Sequence, residues 1–271
     1  MKGIYNTTNK LEKPKIIYEN KYLFGIYKPP YWKVQVGYNP PWKNDVKNPD
    51  NFGKAIIQNW LVKNIKYNLS YSPNLQYGII NRLDRPTSGV LIVAKKKKYY
   101  QELRNVISDK KNTEKYYITL IKGKIPKSFG YINKKISKYF IERDGHKIIF
   151  SRINGHEDSK QQNALTVYNI MKVYKYKGQY YTLLLVRILT GRTHQIRIHM
   201  KDLGTHIMTD PKYSNSIEEF KEDKKIIPRL FLHAYKYIFK YNDENIKIIS
   251  NLPKDLKDSL KKMEEIKIDD K

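Results

Sequence analysis

Two β-rich runs, "ALTVYNIMKVYKY" (164–176) and "QYYTLLLVRILTG" (179–191), restrict this 271-residue chain to folds with a substantial sheet. "YLFGIYKPP" (22–30) is a shorter apolar strand stopped by two prolines. "EKYYITLIKGKI" (114–125) is strand-like with Gly123 ending it, and "RLFLHAYKYIFKY" (229–241) reads as another strand. Helical spacing alternates with these runs. Ile56, Ile57, Trp60, Leu61 and Ile65 share a face of "KAIIQNWLVKNI" (54–65). Tyr99, Tyr100, Leu103, Val106 and Ile107 do so in "YYQELRNVISDKK" (99–111). In "RTHQIRIHMKDLG" (192–204) Ile196, Met200 and Leu203 share a face and Gly204 suits the C-cap. Residues 31–53 read as loop, and 130–162 as polar, irregular hairpins with exposed turns. Neither repeat nor linker interrupts the chain, so one mixed α+β domain is expected. Its parts are a polar lead-in over 1–20, a body over 21–250 and a charged terminal helix over 251–271.

A chain of this length can bury an ordinary core, and 40% hydrophobic residues fit a globular protein. No apolar run approaches the roughly 20 residues of a membrane span. "MKGIYNTTNKLEKPK" has neither the apolar core of a secretory signal nor the Arg- and Ser-rich helix of a transit peptide. With no cysteine, disulfides and thiolate metal sites are excluded, and a reducing, intracellular compartment is expected. Fifty-three Lys plus Arg against 26 Asp plus Glu leave a net charge of +27, which favours an anionic partner, nucleic acid first. Lys, Asn, Ile and Tyr crowd the chain, however, and A- and T-rich codons encode all four. The charge therefore permits RNA binding without requiring it. Arginine placement says more, because several arginines sit inside motif-like segments.

Six histidines, at 146, 156, 194, 199, 206 and 233, show no HExxH or paired ligand spacing. Walker A, GxGxxG and GxSxG patterns are absent, so chemistry without metal or cofactor is expected. "YGIINRLDRPTSGVLIVAKKKK" (77–98) sets one carboxylate, Asp84, between Arg82 and Arg85, in a loop between two expected strands. Ser88 belongs to the Pro-Thr-Ser-Gly turn. Asp84 is either a structural acid or a carboxylate held ionised for chemistry. "LTGRTHQIRIHM" (189–200) places Arg192, Thr193, His194, Gln195 and Arg197 at a helix start, whose free N–H groups and positive dipole end suit an anion. An ordinary N-cap with surface charges is the competing reading.

"NRLDRPTSG" resembles the HRLDxxTSG motif of the RluA-type pseudouridine synthases. "TGRTHQIRIHMKDLGTHIMTDPKY" is similar to that family's TGRTHQIRVHLxxxGxPIxGDxxY. "YKPP", "EKYYITLIKG" and "PRLFLHA" are similar to its NKPxG, KxYxAxVxG and late LHA segments, in family order from about Tyr22 to Phe239. The resemblance implies the pseudouridine synthase fold over 21–250: a mixed, largely antiparallel sheet with flanking helices and a central catalytic cleft. It implies an isomerase without cofactor or metal, converting specific uridines of ribosomal or transfer RNA to pseudouridine. Asp84 matches the family's catalytic aspartate. Arg197 matches its basic partner, which pairs with that carboxylate and keeps it charged in a desolvated pocket. Tyr117 matches the active-site tyrosine, which can stack on the turned-out base and accept or relay the C5 proton. Tyr116 competes for that place, one register step away.

By the same resemblance Arg82 enters the RNA stack where the base was, with a plain salt bridge as the rival. Arg85, Arg192, His194 and Gln195 are expected to face RNA. Asn81 replaces the family's usual His, Tyr31 a Gly, and His206 and Thr209 the usual Pro and Gly. None of these touches Asp84, Tyr117 or Arg197. The lead-in has no room for an S4-type domain, so RNA affinity is expected from the basic surface of a monomeric catalytic domain. A non-catalytic RNA-binding or ribosome-assembly factor of the same fold is the alternative. Retention of Asp84, Tyr117 and Arg197 argues against it.

Overall fold

β-branched and aromatic side chains line the strand runs, and pairing them edge to edge satisfies the backbone while burying one or both faces. The structure, a computed structural model, describes residues 12–34, 55–68, 73–143, 146–155 and 160–267. In chain order its elements are β1 (Lys15–Glu19), β2 (Leu23–Lys28), α1 (Ile57–Asn64), β3 (Ser88–Ala94), α2 (Lys97–Ser108) and β4 (Thr113–Lys122). Then follow β5 (Phe129–Arg143), β6 (His146–Ile153), β7 (Gln162–Tyr176), β8 (Gln179–Ile188), α3 (Gln195–Asp202) and α4 (Ile217–Ile226). β9 (Leu232–Tyr241), β10 (Glu244–Ile249), α5 (Lys254–Leu260) and β11 (Glu264–Ile266) complete the set.

The strands form one sheet in the order β1-β2-β3-β9-β4-β8-β7-β5-β6, with β10 on β9 and β11 on β7. All pairings are antiparallel except β3 with β9, which run parallel through Ser88–His233 and Gly89–Ala234. This is the expected mixed, largely antiparallel α+β sheet. The parallel seam lies directly after the Asp84 loop and depends on Gly89. Its φ of +124° is open to glycine, and a Cβ there would sit 2.2 Å from the Ala234 carbonyl oxygen. β3 is buried along its whole length, consistent with its unbroken apolar run. α2 covers β3 and β9 with Tyr100, Leu103 and Ile107, in a cluster with Val90, Ile92, Tyr237 and Phe239. α1 buries Ile57 and Leu61 in the main core. No helix among the described residues is long and apolar enough to cross a membrane.

Four expectations need correction. The run before Asp84 is not a strand: Pro73–Gly78 is a 3₁₀ turn with Gln76 and Tyr77 left-handed, and only Ile79 bridges to Val93. The lead-in includes β1, which pairs with β2. The stretch from 130 includes the expected hairpin, β5 with β6, but is regular rather than irregular, its polarity reflecting exposed faces; β5 pairs β7 up to Ile136 and β6 from there on. The charged tail is helical only over Lys254–Leu260, after which Glu264–Ile266 joins β7; Leu256 and Met263 enter the main core. The expected 31–53 loop lies largely outside the described residues.

Candidate active site

Asp84 sits in a turn closed by Thr87 N–H donating to the Asp84 carbonyl at 3.1 Å. Several side chains hold that turn from behind. Asn81 Oδ1 accepts from Ile92 N–H (2.8 Å), and Asn81 Nδ2 donates to Val90 O (3.2 Å) and Tyr237 Oη (3.1 Å). Asn81 therefore fills its place as a backbone cap. Lys28 is fully buried and donates to the carbonyls of Pro29, Trp32 and Arg85 at 2.9, 3.0 and 3.2 Å. Burial pushes its ammonium well below the usual range, with Arg229 and Arg85 adding to that and Asp84 opposing it. Behind Ser88, Arg229 donates to Ser88 Oγ (3.2 Å) and pairs with Asp255 of α5 (2.6 and 3.0 Å). His233 completes the lock, its Nε2 meeting Ser250 O (2.7 Å) and its Nδ1 meeting Ser88 Oγ (2.9 Å). Nε2 must be the donor to a carbonyl, so Ser88 donates to Nδ1.

Arg197, on the first turns of α3, is 1% exposed. Its Nη1 donates to Asp84 Oδ2 at 3.2 Å, the expected pairing. The fork itself goes elsewhere. Nε and Nη2 donate to Asp210 Oδ2 and Oδ1 at 2.8 and 2.5 Å. Asp210 is fully buried and also accepts from the backbone N–H groups of Lys212 and Tyr213. Burial opposes the guanidinium charge, and the two carboxylates outweigh it, so Arg197 is permanently charged.

Burial likewise pushes the Asp84 carboxyl upward, but the charges of Arg197, His194 and Lys212 and the Arg197 hydrogen bond leave it below its ordinary value. His194 Nε2 lies 4.0 Å from Asp84 Oδ2, while its Nδ1 is 2.8 Å from Tyr213 Oη. Tyr213 Oη also accepts from Ser151 N–H at 2.8 Å. Burial pulls the imidazole down to about 4. At neutral pH His194 is therefore uncharged, and Arg197 with Lys212 keeps Asp84 ionised. Lys212 donates to Ile149 O (2.7 Å), and burial and Arg197 lower it to about 8.

Tyr117, not Tyr116, is buried beside the cleft; a register shift between the two in β4 opposite β9 sets this. Its hydroxyl lies 3.4 Å from Tyr237 Oη. Burial and Tyr237 push the phenol well up, so it is neutral at physiological pH. The cleft encloses about 440 Å³ of space open to solvent, with Arg82, Asp84, Thr87, Tyr117, Arg192, His194 and Arg197 in its lining.

Three of the expected RNA-facing residues have hydrogen-bond partners within the protein. Gln195 is buried, and its amide is fully used: Oε1 accepts from Thr190 and Arg192, and Nε2 donates to Leu165 O and Thr166 Oγ1. It holds the turn into α3. Arg85 is half-buried and donates from Nε to Tyr31 O (3.1 Å), while Tyr31 N–H returns a bond to Arg85 O (2.7 Å). Arg192 donates from Nε to Asn163 O (3.1 Å). Arg82 is exposed and makes no ion pair with a described residue, so the plain salt bridge is not seen. Tyr31 and Thr209 adopt left-handed φ of 69° and 57°, and His206 binds Asp223 of α4 at 2.8 Å. Asp210, Lys28, Tyr213 and Tyr237 carried no role in the sequence reading.

Residues 22–202 match the model of the family described as RNA pseudouridylate synthase. The chain is 31% identical over 241 residues to the ribosomal large subunit pseudouridine synthase C of Buchnera aphidicola subsp. Baizongia pistaciae, covering 89% of this chain and 67% of that one. It is 36% identical over 197 residues to the ribosomal large subunit pseudouridine synthase D of Borreliella burgdorferi, covering 71% of this chain and about half (54%) of that protein. Among solved structures, human RNA pseudouridylate synthase domain containing 1 superposes with a TM-score of 0.67 at 21% identity, covering 96% of this chain and 91% of that one, which speaks to the fold alone. Asp84, Tyr117 and Arg197 lie within the matched span, and this chain belongs to the RNA pseudouridylate synthase family.

Proposed function

We propose that the protein converts uridine to pseudouridine in large-subunit ribosomal RNA, with Asp84 as the catalytic group. The RNA class follows the activity in the names of the Buchnera and Borreliella relatives. The observation that carries the reading is the 3.2 Å hydrogen bond from buried Arg197 to Asp84 at the cleft. The reaction breaks the N1–C1′ bond, turns the uracil and forms a C5–C1′ bond. A proton leaves C5 and N1 ends protonated, so atoms and electrons balance without an oxidant or reductant. What the reaction needs is an ionised carboxylate beside the nucleoside, out of bulk water, and Asp84 answers that need.

Tyr117 supplies a flat face for the turned-out base. As a neutral phenol it takes up a proton only by releasing its own, for which Tyr237 is the neighbour at 3.4 Å. Exposed Arg82 meets the RNA at the cleft, which Arg192 and His194 also line. We read the protein as an intracellular monomer that binds RNA through its own basic surface, with a net charge of +27. Pseudouridine mapping of total RNA, from cells with and without the protein, tests the assignment. Loss of one or a few large-subunit sites supports it, and an unchanged map rejects it.

A further inference from the structure

Buried polar atoms without partners are rare in folded proteins, and each needs a reason. Five such side-chain atoms occur among the described residues, in Thr87, Ser137, Arg152, Arg187 and His199. Of these residues only Thr87 lines the cleft. It is 2% exposed, and its Oγ1 has no hydrogen-bond partner among the described residues. Nor is its position loose. Its N–H closes the turn onto the Asp84 carbonyl at 3.1 Å, and the next residue, Ser88, is held by Arg229 and His233. The fold thus holds an unsatisfied hydroxyl, covered in the free protein, three residues from Asp84 on a residue that lines the same cleft.

We propose that the Thr87 hydroxyl is a substrate-binding group, satisfied by a polar atom of the uridine held in the cleft; this rests on the reading of the cleft given above. A uridine offers base carbonyl oxygens and ribose hydroxyls, any of which can complete a threonine hydroxyl. The hydroxyl is a cost to the free protein and a gain in the complex. That combination separates it from a structural threonine, whose loss would lower stability.

Thr87→Val keeps the shape and removes the hydroxyl, and Thr87→Ser keeps the hydroxyl. Thermal melting of the free protein and the kcat/KM for pseudouridine formation on a ribosomal RNA fragment are measured for both and for the wild type. The Val variant should melt roughly 2–4 °C higher, because an orphaned group has gone. Its kcat/KM should fall roughly tenfold or more, while Ser stays within a few-fold of wild type. A Val variant that melts below wild type, or that keeps wild-type kcat/KM, overturns the assignment. Wild-type protein that fails to convert uridine counts against the reading of the cleft instead. The Thr87 assignment, which rests on that reading, then falls with it, whereas failure of the Val and Ser predictions in an active enzyme overturns the assignment alone.

Discussion

Arg197 gives its fork to Asp210, at 2.8 and 2.5 Å, and a single N–H to Asp84, at 3.2 Å. The guanidinium is thus aimed by one carboxylate at another. Asp210 is fully buried and cannot meet RNA, whereas the Asp84 side chain is 27% exposed toward the cleft. Asp84 Oδ1 has no hydrogen-bond partner among the described residues. One oxygen is held by charge, and the other is available to a nucleoside.

Asp210→Ala would leave a buried guanidinium with one partner instead of two. Breaking a buried pair costs about 3–5 kcal/mol, because the remaining charge is uncompensated. Urea denaturation should register a loss of that order, together with weaker isomerisation. A loss under about 1 kcal/mol would mean that Asp210 does not anchor Arg197.

Arg197→Lys retains charge but cannot serve both carboxylates, since an ammonium has no fork. Turnover should fall at least roughly tenfold and only partly match wild type at any pH. Arg85→Ala should cost far less turnover, since Arg85 bonds Tyr31 rather than Asp84. Steady-state rates of the two variants decide the matter, and greater damage from Arg85→Ala would reverse the assignment.

Much of this site was legible in sequence because its parts lie in short contiguous motifs. Asp84, Tyr117 and Arg197 line one cleft, and the helical faces of α1, α2 and α3 followed from apolar spacing. The misses have physical causes. Gln195 looked like a polar contact because sequence does not disclose that Thr190, Leu165 and Thr166 converge on its amide. Tyr237 and Asp255 reach the site through tertiary pairing from elements remote in sequence. α4 was overlooked although Ser216 and Glu219 form the start of a capping box, with Ser216 Oγ accepting from Glu219 N–H at 3.0 Å. β5 and β6 were hidden because exposed strands lack an unbroken apolar run.

The buried histidines make stability sensitive to acid. Burial holds His194, His199 and His233 each at about 4. Unfolded, they take up protons near pH 6.5. Between about pH 6.5 and 4 the unfolded chain binds more protons, so stability falls as pH falls, by up to about 1.4 kcal/mol per pH unit for each histidine. Urea midpoints should drop steeply through this window. Asp84, held below its ordinary value, should remain ionised across it. A midpoint constant from pH 6.5 to 5 would contradict the buried, neutral state.

Asp255→Ala would remove the partner that α5 gives to Arg229, which is 2% exposed. Asp255 is 40% exposed, so water replaces part of it and the loss should be about 1–2 kcal/mol rather than that of a fully buried pair. Because Arg229 also holds Ser88, turnover should fall with stability. Melting and single-turnover assays check both, and unchanged turnover would uncouple α5 from the Asp84 turn.

The central claim is that the ionised Asp84 carboxylate performs the isomerisation. Asp84→Asn is nearly isosteric and keeps an oxygen for Arg197, but its amide neither attacks nor accepts a proton as a carboxylate does. The direct measurement is single-turnover pseudouridine formation by purified wild type and Asp84→Asn, at saturating protein on a large-subunit ribosomal RNA fragment. The account predicts no detectable pseudouridine from the Asn variant while RNA binding and melting stay close to wild type. Pseudouridine formed by that variant at near wild-type rate would contradict it.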